Sequence, residues 1–201
     1  MRKIIHTVGN MVKIPPDDEV SVHSSPVHII FVGKMSYEPN IVAVIFFVKE
    51  IFPVLRKSYP ELKFTIIGAN PTEQVKKLED IDGVKTTGFV KSIIPYFLDA
   101  TIVIAPMLTG AGIQNKIIQA MSHGCCVATT PIGAEGLRIE DNEIAIYSTV
   151  QEWIDGLKGL LDNRQLRIDM GTRARQYVIN HLSPAIISRQ FWDFIRNGGI
   201  E

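Results

Sequence analysis

Val27-His28-Ile29-Ile30-Phe31-Val32-Gly33 is a near-continuous apolar run that stops on a glycine. A strand with one wet face alternates apolar and polar residues, and this one does not. It reads as a strand buried on both faces, the kind found in parallel sheets covered by helices. Leu62-Lys63-Phe64-Thr65-Ile66-Ile67-Gly68 repeats the pattern, and residues 101–105 and 125–129 give two more strands of the same kind. Residues 83–90 form a weaker strand and 144–147 a short one. Between them the apolar spacing turns helical. Residues 39–57 carry Val42, Ile45, Phe46, Ile51, Val54 and Leu55 at helix intervals, with Pro53 as a late break. Shorter helical stretches fall at 72–79, 92–98 and 113–123. Three more, at 150–161, 164–181 and 185–197, close the chain. Alternating short strands and helices predict an α/β fold, a doubly wound parallel six-stranded sheet of Rossmann-like type with helices on both faces.

The domain prediction follows from this pattern. Residues 27–182 form the Rossmann-like unit and 183–201 a terminal helix. Residues 1–26, with Pro15-Pro16, Asp17-Asp18-Glu19 and Ser24-Ser25-Pro26, read as an irregular arm rather than a packed element.

Composition narrows the function. The chain has 201 residues, 46% of them hydrophobic, enough for a sizeable core. Its 21 Lys and Arg balance 21 Asp and Glu, so it lacks the cationic excess of a nucleic-acid binder or a polybasic membrane anchor. No apolar run approaches the length of a membrane span, and no apolar run follows the charged start Met1-Arg2-Lys3 to make a signal peptide. The only cysteines, Cys125 and Cys126, are adjacent; they read as small buried apolar residues in a reducing, cytoplasmic setting.

Doubly wound sheets bind ligands at the carboxyl ends of their strands, which directs attention to the loops there. The first, Gly33-Lys34-Met35-Ser36-Tyr37-Glu38-Pro39-Asn40, has one glycine followed by bulky residues. It is neither a G-x-G-x-x-G dinucleotide loop nor a P-loop. The fourth is richer. Pro106-Met107-Leu108-Thr109-Gly110-Ala111-Gly112-Ile113-Gln114-Asn115-Lys116 ends a strand, passes two glycines and opens a helix. Gly110 and Gly112 let backbone approach a ligand closely. The free N–H groups near 113–115 present the positive end of the helix dipole, and Lys116 adds a cation. Lys116, Gln119 and His123 share one helix face. The arrangement suits a diphosphate and an attached sugar. Gly-rich strand–helix loops are common, so spacing alone also reads as a tight strand–helix turn with Lys116 in solvent.

The order of these motifs resembles the C-terminal half of a group 1 glycosyltransferase, the retaining family with two facing Rossmann-like domains (GT-B fold). The resemblance rests on Phe31-Val32-Gly33-x-Met35-x-Tyr37-x-Pro39-Asn40, Ile66-Ile67-Gly68-x-Asn70-Pro71, Thr87-Gly88-Phe89-Val90, Pro95-Tyr96, the 110–124 stretch and Thr129-Thr130-Pro131-Ile132-Gly133-Ala134-Glu135-Gly136-Leu137. It runs from about residue 8 to 197, and the subtype resembles sugar transferases of polysaccharide or lipopolysaccharide assembly. It implies a nucleotide-sugar donor site on this chain, with no metal and no cofactor. Gly33 opens the turn under the phosphates, with Lys34 beside it. The main chain at Phe89 and Val90 meets the base. Gly110 shapes the loop, and Gly112, Ile113 and Gln114 offer N–H groups to the diphosphate near Lys116. Gln119 takes the ribose hydroxyls. No residue of the chain is implied as catalytic.

The resemblance departs at several positions. The family usually has Glu where Gln119 stands, an acidic residue where Ala111 stands, and Arg and Lys where Lys34 and Asn40 stand. It also implies an N-terminal acceptor-binding domain of roughly 150–200 residues, missing here or on a separate chain. Val8-Gly9-Asn10-Met11-Val12 resembles the linker from that domain, and the last helix, with Phe191, Trp192, Phe194 and Ile195, would cross back onto it. Any peripheral membrane contact, at the inner face, would come through that half. His6, His23 and His28 lie in or beside the arm, and His28 reads as a core or edge residue. Two other readings remain: a nucleotide-sugar 2-epimerase of the same fold, and a non-catalytic nucleotide-sugar-binding or assembly module, which Gln119 and Ala111 favour.

Overall fold

The computed structural model describes residues 10–21, 27–110, 112–140 and 142–196. His6, His23, Ser24-Ser25-Pro26, the start of the linker motif at Val8, Ala111 and Asn197 lie outside them. Six parallel strands form one sheet: β1 (His28–Val32), β2 (Lys63–Ile67), β3 (Val84–Thr86), β4 (Ile102–Ala105), β5 (Val127–Thr129) and β6 (Ala145–Ile146). Their order is β3-β2-β1-β4-β5-β6. All five residues of β1 are buried. That agrees with its unbroken apolar sequence, since helices cover both faces of a parallel sheet.

The helices are α1 (Glu38–Phe46), α2 (Phe52–Ser58), α3 (Glu73–Lys76), α4 (Ile94–Asp99), α5 (Asn115–Ser122), α6 (Val150–Asp162), α7 (Arg164–His181) and α8 (Pro184–Arg196). The expected break at Pro53 does not occur. A π-helical turn at Phe47–Ile51 runs directly into α2, where Pro53 sits in the first turn. A proline there loses no helical bond, and the wider turn before it leaves room for its ring. The strand expected at 83–90 is only Val84–Thr86. β3 is an edge strand whose sole partner among the described residues is β2, and β2 ends at Ile67. The Thr87 N–H makes the last bond to β2, at the Ile66 carbonyl, and the chain leaves the sheet beyond it.

One aromatic cluster fixes the helix layer. Phe47 lies 4.7 Å from Phe64 between ring centroids, and Trp153, 1% exposed, meets Phe47 and Tyr147 edge-on. Edge contacts of this kind add to area burial. α6 carries a capping box in which Thr149 and Glu152 each bond the other's backbone N–H. Arg167, 4% exposed, donates to the carbonyls of Leu160 and Leu161 at the other end of α6. Cys125 and Cys126 are both 1% exposed. Burial pushes the Cys126 thiol up to about 12 and the Cys125 thiol up as well, so neither is a thiolate near neutral pH.

The arm corrects an expectation. Residues 10–21 hold only a 3-10 turn at Asp17–Glu19, but they do pack. Arg175 on α7 donates to the Pro15 and Ser122 carbonyls and pairs with Asp17. The Ser21 N–H donates to the His123 carbonyl, and the His123 ring bonds the Glu19 carbonyl. The Val12 N–H reaches the Leu182 carbonyl. Two side chains far along the sequence, Arg175 and His123, hold the segment, and Val12 and Ile14 pack against the core.

Candidate nucleotide-sugar site

The strand order reverses between β1 and β4, and the two loops with the densest sequence signal leave the sheet on either side of that point. A crevice at this position is where open α/β sheets take ligands. Its floor is tight. A Cβ on Gly68 would stand 1.7 Å from the Gly33 carbonyl oxygen, so backbone meets backbone there. The Gly33 N–H donates to Ile67 and the Met35 N–H to Ala69, lashing the first loop to β2.

Asn40 organises the first loop. Its side chain is buried, donates 3.0 Å to the Lys34 carbonyl, and accepts a hydrogen bond from the Lys116 ammonium across the crevice. Lys116 is half-buried rather than solvated. Its Nζ lies 4.8 Å from the centre of the Phe31 ring and 3.4 Å from the Met107 sulfur. Burial pushes its pKa down to about 8. An ammonium has three donors, so Lys116 keeps hydrogen-bonding capacity beyond Asn40 for an incoming anion.

α5 starts at Asn115, two residues later than the sequence spacing suggests, and no side chain caps it. The N–H groups of Ile113, Gln114, Asn115 and Lys116 have no hydrogen-bond partner among the described residues. Gly110 and Gly112 adopt φ of +123° and +74°, the left-handed range that glycine reaches without strain. The Gly112 N–H does have a partner: it donates 3.1 Å to the Glu135 carboxylate. The loop bearing Glu135 is itself fixed, because Thr130 donates from its hydroxyl to the Met107 carbonyl and accepts from the Gly133 N–H.

The remaining expected residues have settings of their own. Lys34 is exposed at the first loop. Phe89 and Val90 follow β3 on a loop, Phe89 78% exposed and Val90 packed on the core. Gln119 is exposed and lines a cleft of about 430 Å³ between the arm, α4 and α5, together with Met11, Ile93 and His123. Lys116 does not line that cleft, so the shared helix face expected for Lys116, Gln119 and His123 resolves into two sites. His28 is a core residue, as expected, bonded to Asp99 and Thr65 at 2.8 Å each. Sequence reasoning missed the Asn40–Lys116 bridge and the reach of Glu135. The glycines flanking Glu135, Gly133 and Gly136, were the available sign of a closely packed loop.

Residues 26–163 match the family model for glycosyl transferases, group 1. The chain belongs to the group 1 glycosyltransferases. Among curated proteins it is 30% identical over 127 residues to an uncharacterized 44.6 kDa protein in the cps region of Klebsiella pneumoniae, a match covering 59% of this chain and 32% of the relative. The chain thus spans about a third of that relative. The fold recurs in solved structures. TarM of S. aureus superposes with a TM-score of 0.76 at 20% identity, covering 93% of this chain and 38% of TarM. The C-terminal domain of LpcC, a group 1 family protein of Francisella tularensis, gives 0.63 at 17% identity and covers 84% and 90%. HepE of Anabaena, solved with UDP and glucose, gives 0.67 at 13% identity and covers 87% and 49%. These likenesses establish the six-stranded GT-B-type fold for this glycosyltransferase chain.

Proposed function

We propose that this chain is the donor-binding half of a retaining glycosyltransferase that moves a sugar from a nucleoside-diphosphate sugar to a glycan or lipid acceptor in cell-surface polysaccharide or lipopolysaccharide synthesis. The observation that carries the reading is the Lys116–Asn40 bridge beside the open N-terminus of α5. It supports a cation and a set of free N–H groups converging on the crevice at the switch point. When the sugar–phosphate bond breaks, negative charge grows on the departing nucleoside diphosphate. Lys116 and the positive helix end are aimed where that charge develops, so no metal is needed in this reading.

The other roles are those that the family resemblance implies. The diphosphate lies over the Gly33 turn with Lys34 at its edge, against the N–H groups of Ile113 and Gln114. The ribose takes Gln119 at the cleft, and the base meets the main chain at Phe89 and Val90. The acceptor binds a second Rossmann-like half outside these residues, and the work is done at the cytoplasmic face of the membrane. The cps-region relative and the UDP and UDP-glucose complexes of HepE support this reading. Calorimetric titration with UDP, GDP, ADP and CMP tests it. Micromolar binding of one nucleoside diphosphate is expected. No binding by a folded sample would favour a module that keeps the fold without the donor.

A further inference from the structure

Glu135 stands at the mouth of the proposed donor site, and nothing in the reading so far uses it. Its carboxylate accepts the Gly112 N–H at 3.1 Å, three residues before α5 begins. It is exposed and forms no ion pair among the described residues. Its loop is held to the far side of the crevice by Thr130, and Gly136 lies against Ile113, where an added Cβ would stand 2.8 Å from that side chain. The carboxylate is therefore delivered to this spot by the backbone around it.

A carboxylate here is a poor neighbour for phosphate, because two anions would compete for one N–H. It is a good neighbour for hydroxyl groups. An ionised carboxylate has about four acceptor positions, and the Gly112 N–H fills one. The diphosphate has no hydroxyl to donate; the sugar bonded to it has several. Three residues of backbone span at most about 11 Å, so a sugar attached to a diphosphate at the start of α5 comes within reach of Glu135.

We propose that Glu135 reads the hydroxyl groups of the donor's sugar, while the diphosphate takes the N–H groups of Ile113, Gln114 and Asn115 and leaves Gly112 to the carboxylate. This assignment rests on the donor-site reading and divides the loop into two parts. The N–H groups nearest the helix hold the phosphates, and Gly112 with Glu135 holds the sugar.

The test is the ratio of two dissociation constants, nucleotide sugar over bare nucleoside diphosphate. It is measured with UDP-glucose and UDP, GDP-mannose and GDP, and ADP-glucose and ADP. For the pair that the wild-type chain binds, Glu135→Ala should raise that ratio about tenfold, the loss of charge-assisted hydrogen bonds. Glu135→Gln, which retains an acceptor for the Gly112 N–H, should give a smaller rise. Retained binding of the bare diphosphate shows that each variant is folded. An unchanged ratio overturns the proposal, including the case in which both ligands tighten equally because a simple anionic plug has been removed. Wild-type chain that binds no diphosphate of the three removes the donor site itself, a result separate from a flat ratio.

Discussion

Lys116 and Asn40 lie 76 residues apart and meet across the point where the strand order reverses. The contact joins the first loop of the sheet to the first turn of α5, and it decides the state of both partners. Asn40 is a neutral acceptor, so Lys116 has no counter-charge beside it, and burial lowers its pKa to about 8. The first loop gains an anchor in return, since the same amide also holds the Lys34 carbonyl.

The pH dependence of binding follows from Lys116. A bound diphosphate favours the ammonium form and raises its pKa, so affinity falls as pH climbs through about 8. The phosphates have already lost their last proton by pH 7, as their second pKa is near 6. Titration at pH 7 and pH 9 should show weaker binding at the higher value. Lys116→Ala should cost about 1.5–3 kcal/mol at pH 7, the usual value of a charged hydrogen bond, and should flatten the pH response. Equal affinity in variant and wild type would take Lys116 out of the site. The stability of the free protein has the opposite sign. Between pH 8 and 10.5 the unfolded chain holds the Lys116 proton and the folded chain does not, so this group favours folding increasingly as pH rises.

Asn40→Ala removes both contacts from a side chain that is 4% exposed. The Lys34 carbonyl and the Lys116 ammonium each lose a partner. A loss of about 1–3 kcal/mol is expected. At about 2–4 °C per kcal/mol for a chain of this size, the Tm should drop by roughly 2–12 °C. A melting curve matching wild type would show that water replaces the amide without penalty.

Gln119→Glu should tighten nucleoside diphosphate binding by about 1–2 kcal/mol, because a charged acceptor bonds the ribose hydroxyls more strongly than an amide oxygen. The side chain is exposed at the cleft, so the change carries little folding penalty. Calorimetry with the nucleoside and with its diphosphate should show the same gain for both. No gain with either ligand would move the ribose away from α5.

What was legible in the sequence was local. β1, β2 and β4 are short segments dominated by Val, Ile and Phe, and such segments have few alternatives once helices flank them. α7 begins and ends where its pattern does, at Arg164 and His181. The glycines of the fourth loop and the lysine after them were equally plain. What was hidden depends on which strands become neighbours. Asn40 faces Lys116 only because β1 and β4 are adjacent, and Glu135 reaches Gly112 only because β5 is next to β4. The length of β3 depended on where its partner stopped. The docking of the arm depended on Arg175, about 160 residues later. In each case a side chain with an unremarkable local pattern gained its role from a distant backbone.

The arm is fastened at both ends of α5. Asn10 donates 3.1 Å to Asn115 on the first residue of the helix, and Glu19 and Ser21 hold His123 just past the last. A strip of chain tied to both ends of a short rod acts as a splint. The rod resists tilting, and the bearing along which its leading N–H groups point is set by the arm as well as by the sheet beneath. In this domain the aim of the anion-facing helix belongs partly to a dozen residues that form neither strand nor α-helix.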